Sequence, residues 1–124
     1  MIHLDTGFLI RGLVPGSAED RRLRTWMAEG MLLGVSTVSW AEFLCGPVQA
    51  SDLELAARIV HEPVPLVAPD ATMTARLFNL AGRRRGSFVD CMIAAIALRA
   101  SRPGDRESRG LPPLRVGRSD DRLS

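Results

Sequence analysis

The stretch SFVDCMIAAIAL, residues 87–98, combines a long apolar run with a carboxylate in its first turn. The run of Cys, Met, Ile, Ala and Leu favours a buried helix, and Asp90 lies at its start. One interpretation is local: Ser87 is an N-cap, and Asp90, three residues on, completes a capping-box-like arrangement that satisfies free amide groups and favours the helix dipole. The other interpretation is that Asp90 belongs to a functional site. The choice depends on what the other segments of the chain supply.

The composition is that of one globular domain. A chain of 124 residues can bury a core of its own but is short for two domains. No apolar run approaches the length of a membrane span, and the N-terminus lacks the basic-then-apolar order of a signal peptide. Cys45 and Cys91 lie in apolar surroundings at no metal-ligand spacing. We therefore expect reduced core thiols in a cytoplasmic protein without a membrane segment.

The net positive charge lies in the last part of the chain. All sixteen basic residues are Arg, and residues 1–100 carry ten Arg against ten acidic residues. Residues 101–124 carry six Arg against four acidic residues, so the net charge of +2 lies there. The basic balance therefore says little about the partners of residues 1–100.

Strand and helix signals alternate along residues 1–100. MIHLD, residues 1–5, alternates apolar side chains and predicts a strand that ends at Asp5. A second strand is predicted at LLGVST, residues 32–37, and a short buried third strand at VPLV, residues 64–67. Helices are predicted over residues 6–13, from Ser17 to about Met31, from Ser39, over residues 51–60 with a Ser51/Glu54 capping box, from Asp70 to the GRRRG stretch, and from Ser87. This alternation predicts an α/β fold, a short parallel sheet flanked by helices on both faces.

Apolar residues at helical spacing predict which faces are buried. Leu23, Trp26 and Met27 should face the core from one helix, and Trp40, Phe43 and Leu44 form the apolar stripe of the next. Residues 101–124 are rich in Pro, Gly, Arg and Ser and show no period, so we expect a disordered, irregular tail there. The predicted organisation is therefore a domain over 1–100 and a tail over 101–124.

Three carboxylates distant in sequence are predicted to converge. Ligands of open parallel sheets bind beyond the carboxyl ends of the strands, where Asp5 lies; Glu42 and Asp90 are each expected in the first turn of a helix at that edge. Local alternatives exist, since Asp5 can cap the following helix and Glu42 can form a capping box with Ser39. Clustered carboxylates raise one another's pKa unless a cation neutralises them, and Mg²⁺ or Mn²⁺ is the natural partner.

At these residues the chain resembles the PIN-domain family, in particular the VapC-type toxins of bacterial toxin–antitoxin pairs. The resemblance rests on the order and spacing of MIHLDTGFLI (residues 1–10), VSTVSWAEF (residues 35–43) and SFVDCMIAAIAL (residues 87–98). It implies a parallel sheet between helices and a Mg²⁺-dependent endoribonuclease that uses a metal-activated water. Asp5, Glu42 and Asp90 match the acidic, metal-binding positions of the family, and Thr6 matches a hydroxyl beside the metal. An RNA substrate, a VapB-like antitoxin that covers the acidic site, and a homodimer are implied in the same way.

Arg83, Arg84 and Arg85 precede Gly86 and permit two interpretations. A helix C-terminus favours cations and often ends at a glycine; alternatively, the three side chains contact RNA phosphates or an antitoxin. His3 and His61 are isolated, and we assign neither a catalytic role.

The tail departs from the family pattern after about Ala100. The family continues with a strand, a Thr-x-Asn-x-x-Asp-Phe-like segment that supplies a fourth acid, and a last strand; none of these appears here, and Asp105 comes too early. Permitted codons from Ser101 onward, shifted by one nucleotide, can encode the missing Asp-Phe at about the expected distance. We therefore hypothesise a frameshift just after Ala100, which the nucleotide sequence would decide.

Two functions follow from the resemblance. The first is a Mg²⁺-dependent endoribonuclease toxin, and the second is a catalytically impaired PIN remnant that only binds antitoxin or RNA. A small-molecule-binding α/β domain is a weaker third, because no Gly-rich phosphate loop follows any predicted strand.

Overall fold

The computed structural model describes residues 1–60, 62–82, 87–100 and, as backbone, 115–117. Within these residues the chain forms six helices and three strands. They are β1 (Ile2–Leu4), α1 (Thr6–Gly12), α2 (Ala18–Ala28), β2 (Leu33–Val35), α3 (Thr37–Cys45), α4 (Ala50–Ile59), α5 (Ala68–Leu80), α6 (Ser87–Ala100) and β3 (Arg115–Gly117).

The sheet is parallel and has β1 at its centre, in the order β2-β1-β3. Leu4 pairs with Val35 on one side and with Gly117 on the other, so the three strands end at the same edge. The α/β fold predicted from the alternation is therefore confirmed. Residues 101–114 and 118–124, which make up most of the predicted disordered tail, lie outside the described residues. At 115–117 the structure differs from the predicted tail, because strand β3 pairs with β1 there.

The two faces of β1 have different neighbours. Ile2 and Leu4 point into the main core, which the helices fill with the buried side chains of Phe8, Leu9, Leu23, Trp26, Phe43 and Ala56. Successive side chains of a strand alternate between faces, so His3 points to the opposite face. There it lies close enough to Arg99 of α6 for that charge to act on its pKa. The predicted helices on both faces are thus present.

An ion pair anchors the end of α6 to the start of α5. Arg99 Nε lies 2.9 Å from Asp70 Oδ1, and the same side chain donates from Nη2 to the Pro65 carbonyl oxygen at 2.7 Å. Asp70 is buried, and its Oδ2 also accepts a hydrogen bond from the Val67 amide at 2.9 Å. These bonds hold the last turn of α6 against residues 65–70.

Several predicted helix starts are wrong by a few residues. The N-cap of α3 is Ser36 and not Ser39; the Ser39 amide donates to Ser36 Oγ at 3.0 Å. Glu42 consequently lies in the second turn of α3 and forms no capping box with Ser39. Helix α4 begins after Gln49 without a side-chain cap, so the Ser51/Glu54 capping box is not formed.

Helix α5 also begins before the predicted residue. Its N-cap is Val67, and Asp70 lies at the third helical position, where its side chain accepts from the cap amide. The predicted Ser17 cap of α2 is confirmed, since Ser17 Oγ accepts from the Asp20 amide at 2.9 Å.

Some apolar residues predicted to be buried are exposed. Val64 makes one parallel bridge with Ser36, but Leu66 and Val67 are more than a third exposed, so VPLV is not a buried strand. Met27 and Leu44 are about half exposed in the structure. Cys45 is exposed too, and of the two cysteines only Cys91 is a core thiol. In each case the side chain lies on a helix or loop surface that no neighbouring element covers among the described residues.

No helix among the described residues combines the length and the apolar character that crossing a bilayer would require.

Candidate functional site

Two helices begin at the shared edge where β1 and β2 end. Asp5 follows β1 directly, and its Oδ1 accepts a hydrogen bond from the Phe8 amide at 2.8 Å, which makes Asp5 the N-cap of α1. Ser36 follows β2 and caps α3. The capping interpretation of Asp5 is therefore correct. A carboxylate has about four acceptor positions, so the cap bond by itself does not exclude a second role.

A hydrogen bond across 36 residues of sequence joins the two helices at this edge. Thr6 Oγ1 lies 2.6 Å from Glu42 Oε1 and 3.3 Å from the Ser39 carbonyl oxygen. The shorter contact takes the hydroxyl hydrogen, so Thr6 donates to the Glu42 carboxylate. The structure thus brings Thr6, the residue after Asp5, into direct contact with the second predicted acid.

Asp90 lies in the first turn of α6 and is exposed. Among the residues the structure describes, no three His, Cys, Asp or Glu side chains are close enough together to hold a metal ion. The three predicted acids therefore do not form a joint group in this part of the chain. Arg83, Arg84 and Arg85 lie outside the described residues, as does His61.

The donor chemistry at the edge of the sheet nevertheless suits a hard divalent cation. Mg²⁺ keeps several of its waters in proteins and is often bound by only one or two carboxylates together with substrate phosphates. Glu42, which Thr6 contacts, and Asp5, the residue before Thr6, would supply such a pair. Their oxygen ligands match Mg²⁺ or Mn²⁺ rather than a metal that prefers nitrogen or sulfur.

His3, two residues before Asp5, is buried on the face of β1 opposite to Ile2 and Leu4. Burial lowers the pKa of its imidazole from 6.5 to about 4, and the positive charges of the amino terminus and Arg99 act in the same direction. Its Nε2 makes no hydrogen bond to the described residues. The imidazole is therefore neutral at pH 7.

Sequence reasoning missed the arrangement of two serines. Ser36 and Ser39 are both buried, and Ser36 Oγ accepts from the Ser39 amide, whereas Ser39 Oγ has no partner among the described residues. The signal was present in VSTVS, where a second serine remains once the first is assigned as the cap. With Ser39 predicted as the cap, its hydroxyl would already be engaged, so no unpaired buried serine is expected.

An apolar groove lies between the end of α1 and the connection from α3 to α4. It has a volume of about 210 Å³, and Ile10, Leu13, Val14, Phe43, Pro47 and Val48 are among its lining residues. Ile10 and Val14 are about half exposed. Apolar side chains that are exposed side by side mark interaction surfaces more often than isolated ones do.

Comparison with known proteins gives one family and two related folds. The PIN domain family matches residues 2–103. The solved structure of VapBC2 from Rickettsia felis bound to a DNA fragment from its promoter is 17% identical and has a TM-score of 0.62, over 97% of this chain and 100% of that chain. FitAB bound to an IR36 DNA fragment is 18% identical, with a TM-score of 0.55 over 94% of each chain. At these identities the two structures show a shared fold. No curated protein matches the sequence.

Proposed function

Since this chain belongs to the PIN-domain family, whose members are generally nucleases, we propose that it is a metal-dependent endoribonuclease of the VapC type, the toxin of a toxin–antitoxin pair. The observation that carries the proposal is the Thr6–Glu42 hydrogen bond of 2.6 Å at the carboxyl edge of the sheet. It joins two of the three segments on which the resemblance rests. Structural similarity to VapBC2 and FitAB supports the same assignment at the level of the fold.

Asp5 and Glu42 would hold a Mg²⁺ or Mn²⁺ ion, and Asp90 would approach from α6. The direction of α6 supports this placement. Arg99, in its last turn, lines one cavity together with Met1 at the start of β1. Asp90 lies nine residues earlier, about 14 Å back along the helix axis, and the buried residues Ile93 and Ile96 lie between them. We infer that the first turn of α6, at the opposite end of the helix from Arg99, would lie toward the end of β1, where Asp5 lies.

Each side chain at this edge would have a defined task. The Phe8 amide holds one oxygen of Asp5 and so limits the rotation of that carboxylate. The Thr6 hydroxyl orients the Glu42 carboxylate, which is otherwise at the surface. A bound divalent ion would supply a water activated for attack and positive charge for the scissile phosphate. Arg83, Arg84 and Arg85, shortly before α6, are proposed to contact RNA phosphates.

The proposed protein partner is a VapB-like antitoxin, and the proposed assembly is a homodimer in the cytoplasm. The apolar groove beside Ile10 and Val14 is the surface we assign to the antitoxin. Its position at the end of α1, the helix that Asp5 caps, would let one bound segment reach from the groove toward the acidic edge.

The alternative function is a PIN remnant that binds antitoxin or RNA without cleaving it. Two observations favour it: the described residues hold no group of three potential ligands, and the sequence after Ala100 lacks the fourth acid of the family pattern. Both functions predict partner binding, and only the first predicts hydrolysis.

Cleavage of single-stranded RNA by the purified chain separates the two. We expect cleavage with Mg²⁺ or Mn²⁺ that stops in EDTA and in Asp5→Asn, and persists in Ser17→Ala, a cap substitution on α2. Cleavage that continues in EDTA would overturn the metal mechanism. A chain that binds RNA or antitoxin and cleaves no RNA would establish the remnant.

A further inference from the structure

The hydroxyl of Ser39 is the one polar group of that residue without an assignment in the described structure. The side chain is completely buried, and its Oγ makes no hydrogen bond to any described residue. The Ser39 amide donates to Ser36 Oγ at 3.0 Å, and its carbonyl oxygen lies 3.3 Å from Thr6 Oγ1. Buried hydroxyl groups are normally paired, because desolvation without a partner is unfavourable.

The position of Ser39 relates this hydroxyl to the proposed metal site. Ser39 lies three residues before Glu42 on α3, so the two side chains lie on neighbouring positions of one helix face. Thr6 contacts both residues, through the Glu42 carboxylate and the Ser39 carbonyl. Ser36, the other buried serine of this segment, already has its hydroxyl engaged as the cap and so differs from Ser39 in this respect.

We propose that Ser39 is a positioning residue of the metal site, whose hydroxyl donates a hydrogen bond to a water in the hydration shell of the divalent cation held by Asp5 and Glu42. The inference rests on the proposed function and adds a residue to it. Mg²⁺ and Mn²⁺ sites that use few carboxylates retain waters. Groups outside the direct ligands that orient such a shell change metal affinity by about 10- to 100-fold when removed.

The competing explanation is a packing residue that tolerates an unsatisfied hydroxyl. The two explanations agree about the metal-free protein, where replacing Ser39 by Ala removes an unpaired polar group and should not lower the melting temperature. They disagree about the cation, because only a positioning residue contributes to its binding.

The test measures melting temperature in EDTA and Mn²⁺ affinity by titration calorimetry, on the full chain and four variants. We expect Ser39→Ala to melt at or above the parent temperature and to bind Mn²⁺ about tenfold more weakly. Ser17→Ala, a remote cap, should melt lower and keep the parental affinity. Ser36→Ala should melt lower because it loses a cap bond, and Asp5→Asn should lose Mn²⁺ binding.

The outcomes separate failure of this inference from failure of the proposed function. Parental Mn²⁺ affinity in Ser39→Ala, with Asp5→Asn impaired, overturns the role of Ser39 and leaves the metal site standing. A melting temperature of Ser39→Ala lowered as far as that of Ser36→Ala also overturns it, since the hydroxyl then has a structural partner. If the parent binds no Mn²⁺, or Asp5→Asn binds it equally well, both the metal site and the role of Ser39 are rejected.

Discussion

Arg99 reaches Asp70 from 29 residues away in the sequence and lies 2.9 Å from its carboxylate, which is only 2% exposed. The pair joins the last turn of α6 to the first turn of α5. Helices α5 and α6 pack against each other, and we expect the pair to help fix the position of α6. The integrity of this pair therefore matters for any site that includes Asp90.

Replacing Arg99 by Met should destabilise the protein by about 3 kcal/mol, since a buried carboxylate then loses its charged partner. The double variant Asp70→Asn, Arg99→Met should recover part of this loss, because no uncompensated charge remains. Urea unfolding of the parent, both single variants and the double variant gives the coupling free energy. If the double variant loses as much free energy of unfolding as the two single variants lose together, the two residues are not energetically coupled.

Substitutions at Asp5 should separate its capping role from its proposed ligand role. Asn caps helices about as well as Asp, whereas Ala costs roughly 1 kcal/mol. We therefore expect Asp5→Asn to keep nearly parental stability while Mn²⁺ binding and RNA cleavage are lost, and Asp5→Ala to lose all three. Thermal unfolding measures stability, calorimetric titration measures Mn²⁺ binding, and an RNA assay measures cleavage. Full Mn²⁺ affinity in Asp5→Asn would restrict this residue to capping.

Thr6→Val should weaken Mn²⁺ binding and cleavage, because it removes the donor that orients Glu42 while nearly preserving side-chain shape. A stability loss of about 1 kcal/mol is expected from the missing hydrogen bond. The matched control is Thr25→Val, since the Thr25 hydroxyl donates to the Arg21 carbonyl oxygen within its own helix. Thr6→Ser should retain activity. Equal cleavage by Thr6→Val and Thr25→Val would contradict the orienting role.

His3 predicts a specific pH dependence of stability. Its folded-state pKa is about 4 against 6.5 when unfolded, so the unfolded chain binds more protons between these values. The free energy of unfolding is therefore highest above pH 6.5. It falls as the pH is lowered toward 4, by about 2 kcal/mol at pH 5 relative to pH 8. Urea midpoints of the parent and His3→Asn at these two pH values give the comparison. An equally steep loss in His3→Asn would assign the effect to other groups.

The apolar groove predicts where an antitoxin binds. Ile10→Glu places a charge in the groove at a position already 47% exposed, so folding should be preserved while antitoxin affinity falls at least tenfold. Leu80→Glu on α5, where the side chain is 78% exposed, is the control and should bind normally. Calorimetry with the proposed VapB-like antitoxin measures the affinity of both variants. Unchanged binding by Ile10→Glu would place the antitoxin elsewhere.

Features that depend on local signals were predictable from the sequence. The alternation in residues 1–5 indicated a strand ending at Asp5, and Ser17 is the cap of α2 because its hydroxyl can reach an amide three residues on. Helix α6 begins at Ser87, as the apolar run after it indicated. Such signals act within about one turn or one strand, so the residues that carry them are neighbours in the sequence.

Other features depend on partners that are distant in the sequence. Ser36 and Ser39 are equally good cap residues, and the pairing of β2 with β1, which ends at Val35, decided in favour of Ser36. The exposure of Met27 and Cys45 depends on which elements reach them, and periodicity alone does not state this.

The sequence by itself thus determined the order of the six helices and the first two strands, the parallel α/β architecture and the placement of Asp5 at a strand end. Only the tertiary structure decided that Thr6 contacts Glu42, that Arg99 pairs with Asp70, and that the Ser39 hydroxyl is buried without a described partner. The physical reason is that capping and strand alternation act between neighbours along the chain, whereas these three features arise only when packing brings separate segments together.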